Sequence, residues 1–212
     1  MEAIKPGLLL VLGCQRSGTS LLAAMLGRHP EINMLYESTT TDVRKAIGKR
    51  YSGNKLLTWR QIRMTRRGSK FGDLLNRIAN LDVSRRTKHH KIRVFPTSRM
   101  SIDDYLRLDA SIIVITRPEE EVVRSITRRT GMSTRQAVRE FQRSERELHT
   151  VADVALKITF SDLVNEPEPV LQRICGFLDL DYDPRMLEGP AYNYVYPHSG
   201  ILTAKDGTRT QE

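Results

Sequence analysis

Apolar and polar positions fall along this chain in blocks that read alternately as strands and helices. Leu8 to Leu12 (LLLVL) is wholly apolar and closes on Gly13, the pattern of a parallel strand buried on both faces. Leu21 to Arg28 has helical spacing, and His29-Pro30 ends it. Ile32 to Tyr36 is short and extended. Ser111 to Thr116 (SIIVIT) is a second buried strand, and Leu156 to Phe160 is a third candidate. Ser101 with Asp104 forms a capping box that opens a short helix to Leu108, and Ser133 with Gln136 caps another that reaches His149. Pro118 to Arg129 is a helix with proline in its first turn. Glu168 to Leu178 follows Pro167, with Val170, Leu171, Ile174, Phe177 and Leu178 as its apolar positions. Residues 42–90 have no clear period and read as helical pieces. Ile92 to Phe95 offers a strand, and residues 190–212 are turn-rich and polar.

Strand, loop and helix recur in this order, which predicts an α/β fold. The expected form is a three-layer α/β/α domain with a mostly parallel central sheet. With 212 residues and 39% hydrophobic composition, the chain suits one domain, with 44–90 as a basic helical insertion and 190–212 as an irregular tail. Two cysteines, Cys14 and Cys175, make no disulfide framework, and no run is long enough to span a bilayer. A cytoplasmic protein is the expectation. Net charge is +9, and its placement says more than its size. Residues 44–99 hold 17 Lys and Arg against only Asp73 and Asp82, while the remainder of the chain is net acidic. Such a segment is either a solvated basic face or a surface for an anionic partner.

The chemistry-bearing motif is Gly13-Cys14-Gln15-Arg16-Ser17-Gly18-Thr19-Ser20, after a strand and before a helix. Glycines let such a loop turn its N–H groups toward a phosphate, and the helix start adds its positive end. The spacing is that of a P-loop, within a P-loop nucleotide-hydrolase-like fold. The lysine expected after Gly18 is replaced by Thr19, so Arg16 is the loop's only side-chain cation. Arg117 directly follows SIIVIT, and Ser125 lies eight residues on, two turns into the next helix. A strand end that leads into a helix is where open α/β sheets bind ligands. An Arg and a hydroxyl placed there can hold a second phosphate.

Together with the late stretch Lys157-Ile158-Thr159-Phe160-Ser161-Asp162-Leu163-Val164, Pro167 and Phe177-Leu178, these residues resemble the sulfotransferases that use 3′-phosphoadenosine-5′-phosphosulfate (PAPS). The likeness runs from about residue 8 to 180, with the basic middle unmatched, and the loop Arg is nearer the carbohydrate, tyrosylprotein and bacterial branches. It implies that Arg16, Ser17, Gly18, Thr19 and Ser20 cradle the 5′-phosphosulfate. It implies that Arg117 and Ser125 hold the 3′-phosphate, with adenosine 3′,5′-bisphosphate as product. Glu37 lies 21 residues after Arg16, the position of the base in the tyrosylprotein branch; the alternative is a surface glutamate. A further cation is expected on the strand before that of Arg117, with Arg93 the first candidate and Lys91 the second. No metal is implied.

The sequence departs from the family where Thr159-Phe160-Ser161 replaces a Tyr-Glu pair, and where no Gly-rich basic segment follows to close over the nucleotide. Tyr192, Tyr194 and Tyr196 alternate as an edge strand or an acceptor wall, and Trp59 is a stacking candidate for an adenine or a sugar. His29 and His198 read as structural or solvated. The acceptor implied is a hydroxyl, with the basic segment favouring an acidic glycan or peptide. Two rival classes stand beside this one. A P-loop kinase or hydrolase is disfavoured by the missing loop Lys and the missing strand-end Asp. A nucleic-acid-binding protein is disfavoured by the lack of a recognition signature.

Overall fold

The apolar run Gly7–Gly13 forms β1, fully buried from Leu9 to Leu12 because strands flank it on both sides and helices cover both its faces. The computed structural model describes residues 7–38, 49–64 and 100–192, with positions 43, 71, 74, 75 and 78 between them. Among these, β2 (Ile32–Tyr36), β3 (Tyr51–Leu57), β4 (Ser111–Thr116) and β5 (Leu156–Thr159) join β1 in one parallel sheet, in the order β2-β3-β1-β4-β5. The helices are α1 (Thr19–Leu26), α2 (Ile102–Leu106), α3 (Glu119–Thr130), α4 (Thr134–His149), α5 (Phe160–Asn165) and α6 (Pro167–Phe177), followed by a 3-10 segment, Pro184–Tyr192.

Alternate side chains of the central strands feed two cores. Leu9, Val11, Ile113 and Ile115 pack with Leu22 and Leu26 of α1 and Leu171 and Ile174 of α6. Leu10, Leu12, Ile112 and Val114 pack on the other face with Ile102 and Tyr105 of α2 and Leu148 of α4. Each fully buried leucine contributes about 1.5–3 kcal/mol. The α/β/α layering expected from the sequence is the observed one. After β1 the chain turns onto the α1 face, and after β4 it turns toward α3 and α4. The loops therefore diverge at the carboxyl ends of β1 and β4, which makes this edge a topological switch point.

Both capping boxes form, with Ser101 accepting from the Asp104 N–H and Ser133 from the Gln136 N–H. The third strand is one residue shorter than expected, because Thr159 caps α5 and Phe160 is already helical. The expectation of a helical 44–90 is corrected near its start, where Tyr51–Leu57 is β3, seated between β2 and β1. Its sequence, YSGNKLL, hides the strand because its interior polar side chains are buried and individually satisfied. Ser52 donates to the Val43 carbonyl at 2.7 Å. Asn54 donates to the Ser38 carbonyl and accepts from the Ser38 N–H, both at 3.1 Å. Lys55 meets a carboxylate. Tertiary partners, rather than hydrophobic period, stabilise this strand. The possible strand at 92–95 lies outside the described residues, as do Tyr194, Tyr196 and His198.

Candidate active site

The loop between β1 and α1 is shaped from inside. Ser17 gives both its hydroxyl, at 2.7 Å, and its N–H, at 3.1 Å, to the Cys14 carbonyl. Ser17 is thus a structural brace within the loop. Gly18 caps α1 at φ 104, and a side chain at that position would strike Phe160. Gly13 has no room for a Cβ against Ser17 and the Ile115 carbonyl. The first turn of α1 presents the N–H groups of Thr19, Ser20 and Leu21 without intrahelical acceptors, as every helix start does. These groups, with the positive end of the helix, form the backbone half of an anion cradle.

Arg16 supplies the side-chain half. Its backbone is left-handed, at φ 71, and its Nε donates to Ser125 Oγ at 2.9 Å. Arg117 Nη1 donates to the Arg16 carbonyl at 3.4 Å, its guanidinium lies 4.2 Å from the Phe160 ring centroid, and its Nε donates to Glu121 at 2.7 Å. The structure brings Arg16, Arg117 and Ser125 together. The three residues line one open cleft of about 580 Å³ with Glu121, Arg124, Arg128 and Arg129. Positions 121, 125 and 128/129 fall on one face of α3, a spacing of three and four that the sequence itself displays. Partial withdrawal from solvent, and then the nearby Arg129 and Arg117 guanidinium groups, lower the pKa of Arg16. Like charges crowded in this way favour a multivalent anion between them.

Glu37 stands at the carboxyl end of β2, left-handed at φ 53, with its N–H donating to the Lys55 carbonyl at 2.8 Å. Its carboxylate accepts from Lys55 Nζ at 2.7 Å, and the Lys55 side chain is only 5% exposed. β2 is two places from β1 in the sheet, so Glu37 and the phosphate loop lie about 10 Å apart at one edge. Arg93 and Lys91 lie outside the described residues. Among the described residues, the strand that precedes β4 along the chain is β3, and its cation is Lys55. Sequence reasoning missed this residue because it missed the strand.

Other candidates resolve into scaffold. Trp59, left-handed at φ 70, has the guanidinium groups of Arg63 and Arg143 each 4.5 Å from its ring centroid, so cations of the fold itself already stack on this indole. His29 is buried, as expected of a structural residue. Its Nδ1 accepts from the Glu31 N–H at 3.1 Å, which leaves Nε2 as the donor to the Asp181 carbonyl at 2.9 Å. Burial pushes the Cys14 thiol up to about 12, so it carries no thiolate at neutral pH. No helix among the described residues is long and apolar enough to cross a membrane.

Comparison with known proteins bears on this geometry. A family model described as "Sulfotransferase family" matches residues 7–184. No curated protein matches the sequence. Among solved structures, the sulfotransferase domain from the curacin biosynthetic pathway aligns with 87% of this chain and 77% of its own, at 17% identity and a TM-score of 0.51. Mouse sulfotransferase SULT7A1, complexed with PAP, aligns with 92% of this chain and 66% of its own, at 14% identity and a TM-score of 0.52. At these identities the likeness is one of fold.

Proposed function

This chain belongs to the sulfotransferase family, and we propose that it moves the sulfuryl group of PAPS to an acceptor hydroxyl. The observation that carries the reading is the convergence of Arg16, Ser125 and Arg117 at the carboxyl edge of β1 and β4. Five guanidinium groups and one carboxylate line that cleft, a charge balance suited to a nucleotide with phosphates at both ends. The mouse neighbour in fold is complexed with PAP, the bisphosphate that PAPS leaves behind.

In this reading the N–H groups at the start of α1 and the Arg16 guanidinium hold the 5′ end, while Arg117 and Ser125 hold the 3′-phosphate. When bound, PAPS supplies a sulfuryl group on a phosphate leaving group, so the acceptor oxygen–sulfur bond forms as the sulfur–oxygen bond to phosphate breaks. Glu37 takes the proton of the acceptor hydroxyl. Its ion pair with Lys55 is made by the carboxylate form, which is the form that accepts a proton. Lys55 also fixes the direction of that carboxylate. Arg16 and the loop N–H groups stabilise the negative charge that develops on the departing phosphate oxygen, as preorganised donors do. The basic balance of residues 44–99, beyond Lys55 and Arg60 that the fold itself answers, favours an anionic acceptor such as an acidic glycan or peptide.

The deciding experiment compares thermal stabilisation by adenosine 3′,5′-bisphosphate with that by ATP and Mg²⁺, followed by an acceptor screen with sulfur-labelled PAPS. Stabilisation by the bisphosphate and label transfer are expected. Stabilisation by ATP and Mg²⁺ alone would move the chain to phosphoryl chemistry.

A further inference from the structure

Glu140 on α4 is 125 residues from Gln15, yet its carboxylate is where two loops of the active edge meet. Its Oε2 accepts from Gln15 Nε2, within the phosphate loop. It also takes a fork from Arg60, with Nε to Oε2 at 2.9 Å and Nη2 to Oε1 at 2.6 Å. Gln15 is buried, and the Arg60 and Glu140 side chains are each 18% exposed. Arg60 belongs to the turn that leaves β3. That turn is tied to the phosphate loop a second time, by the Thr58 N–H to the Gly13 carbonyl at 3.0 Å.

The backbone on either side of this junction is strained. Arg16 directly follows Gln15 at φ 71, and Trp59 directly precedes Arg60 at φ 70. A left-handed residue other than glycine costs on the order of 1 kcal/mol or more and persists only where its surroundings hold it. In both places the adjacent residue is one that Glu140 grips. A carboxylate suits the junction because it only accepts, and all three groups that meet it are N–H donors.

We propose that Glu140 is a positioning residue. By holding Gln15 it keeps Arg16 in the left-handed conformation that directs its guanidinium to Ser125 in the cleft. The consequence for catalysis rests on the donor reading above; the consequence for loop order does not.

The test uses the full chain and two readouts. One is hydrogen exchange of residues 13–20 without nucleotide, and the other is affinity for adenosine 3′,5′-bisphosphate. Gln15→Leu leaves the Arg60 fork whole, so it should fold with an unchanged melting temperature. It should also speed loop exchange and weaken the bisphosphate about tenfold, the scale of coupling within one network. Glu140→Ala should do the same while also lowering the melting temperature. Gln15→Glu sets two carboxylates against each other and should weaken binding at least as much. Wild-type exchange and affinity in Gln15→Leu would overturn the proposal. If the unaltered protein binds no bisphosphate, the donor reading falls, and loop exchange alone decides the role of Glu140.

Discussion

Two groups of arginines flank the phosphate loop, and they differ in what answers them. On the α3 side, Arg16, Arg117, Arg124, Arg128 and Arg129 line a cleft whose lining includes a single carboxylate, Glu121. On the α4 side, Arg60 is forked to Glu140, and Arg63 and Arg143 each lie 4.5 Å from the centroid of the Trp59 ring. The first arrangement leaves positive potential for a ligand to neutralise. The second neutralises or covers its cations within the fold and stiffens the loops beside the site. Cation count alone would not separate the two; the placement of carboxylates and the indole does.

The largest test of this contrast removes the proposed base. Glu37→Gln should lower turnover about 10²–10⁴-fold, the range for general-base catalysis, while bisphosphate affinity stays near wild type. Unchanged turnover would remove Glu37 from the mechanism. Arg16→Ala should cost about 10²–10³ in turnover, as loss of one preorganised donor does. Arg117→Ala should act on affinity instead, weakening the bisphosphate by roughly 10–100-fold as a charged hydrogen bond is lost. If both arginine variants bind the bisphosphate as the wild type does, the α3 cleft is not the nucleotide site.

A smaller effect sharpens the distinction through salt. Rising ionic strength should weaken bisphosphate binding steeply, because the cleft is open and predominantly positive. It should change the melting temperature little, because the Arg60–Glu140 fork is mostly buried. Equal sensitivity of both would erase the contrast. The smallest effect serves as a control outside both regions. Arg185 donates to Asp183 and holds its carboxyl down to about 2. A depressed carboxyl contributes stability that is present above the ordinary Asp range, about pH 4, and lost as pH falls toward 2. Asp183→Asn should therefore reduce the acid dependence of unfolding in that window and leave nucleotide affinity alone.

What was legible in the sequence was what repeats locally. LLLVL and SIIVIT declared buried strands, Ser101 and Ser133 declared helix starts, and Gly13 to Ser20 declared the loop that joins β1 to α1, because strand runs, caps and glycine turns are each encoded within a few residues. The pairing of Arg16 with Arg117 and Ser125 was legible only through resemblance, since nothing local joins residues 101 and 109 positions apart. β3 was not legible at all. Its interior Ser52, Asn54 and Lys55 are stable in a buried strand only because Val43, Ser38 and Glu37 meet them there.

By itself, then, the sequence determined the layered α/β class, the glycine-bounded loop after β1 and which helices begin where, since these follow from periodicity and from caps that act over three or four residues. The tertiary structure alone decided that Lys55 would face Glu37, that two arginines would meet the Trp59 ring, and that Glu140 would reach Gln15. Each of these is a meeting of side chains distant along the chain, chosen by strand order and helix packing and stabilised by charge matching at low exposure, and no short stretch of residues encodes it.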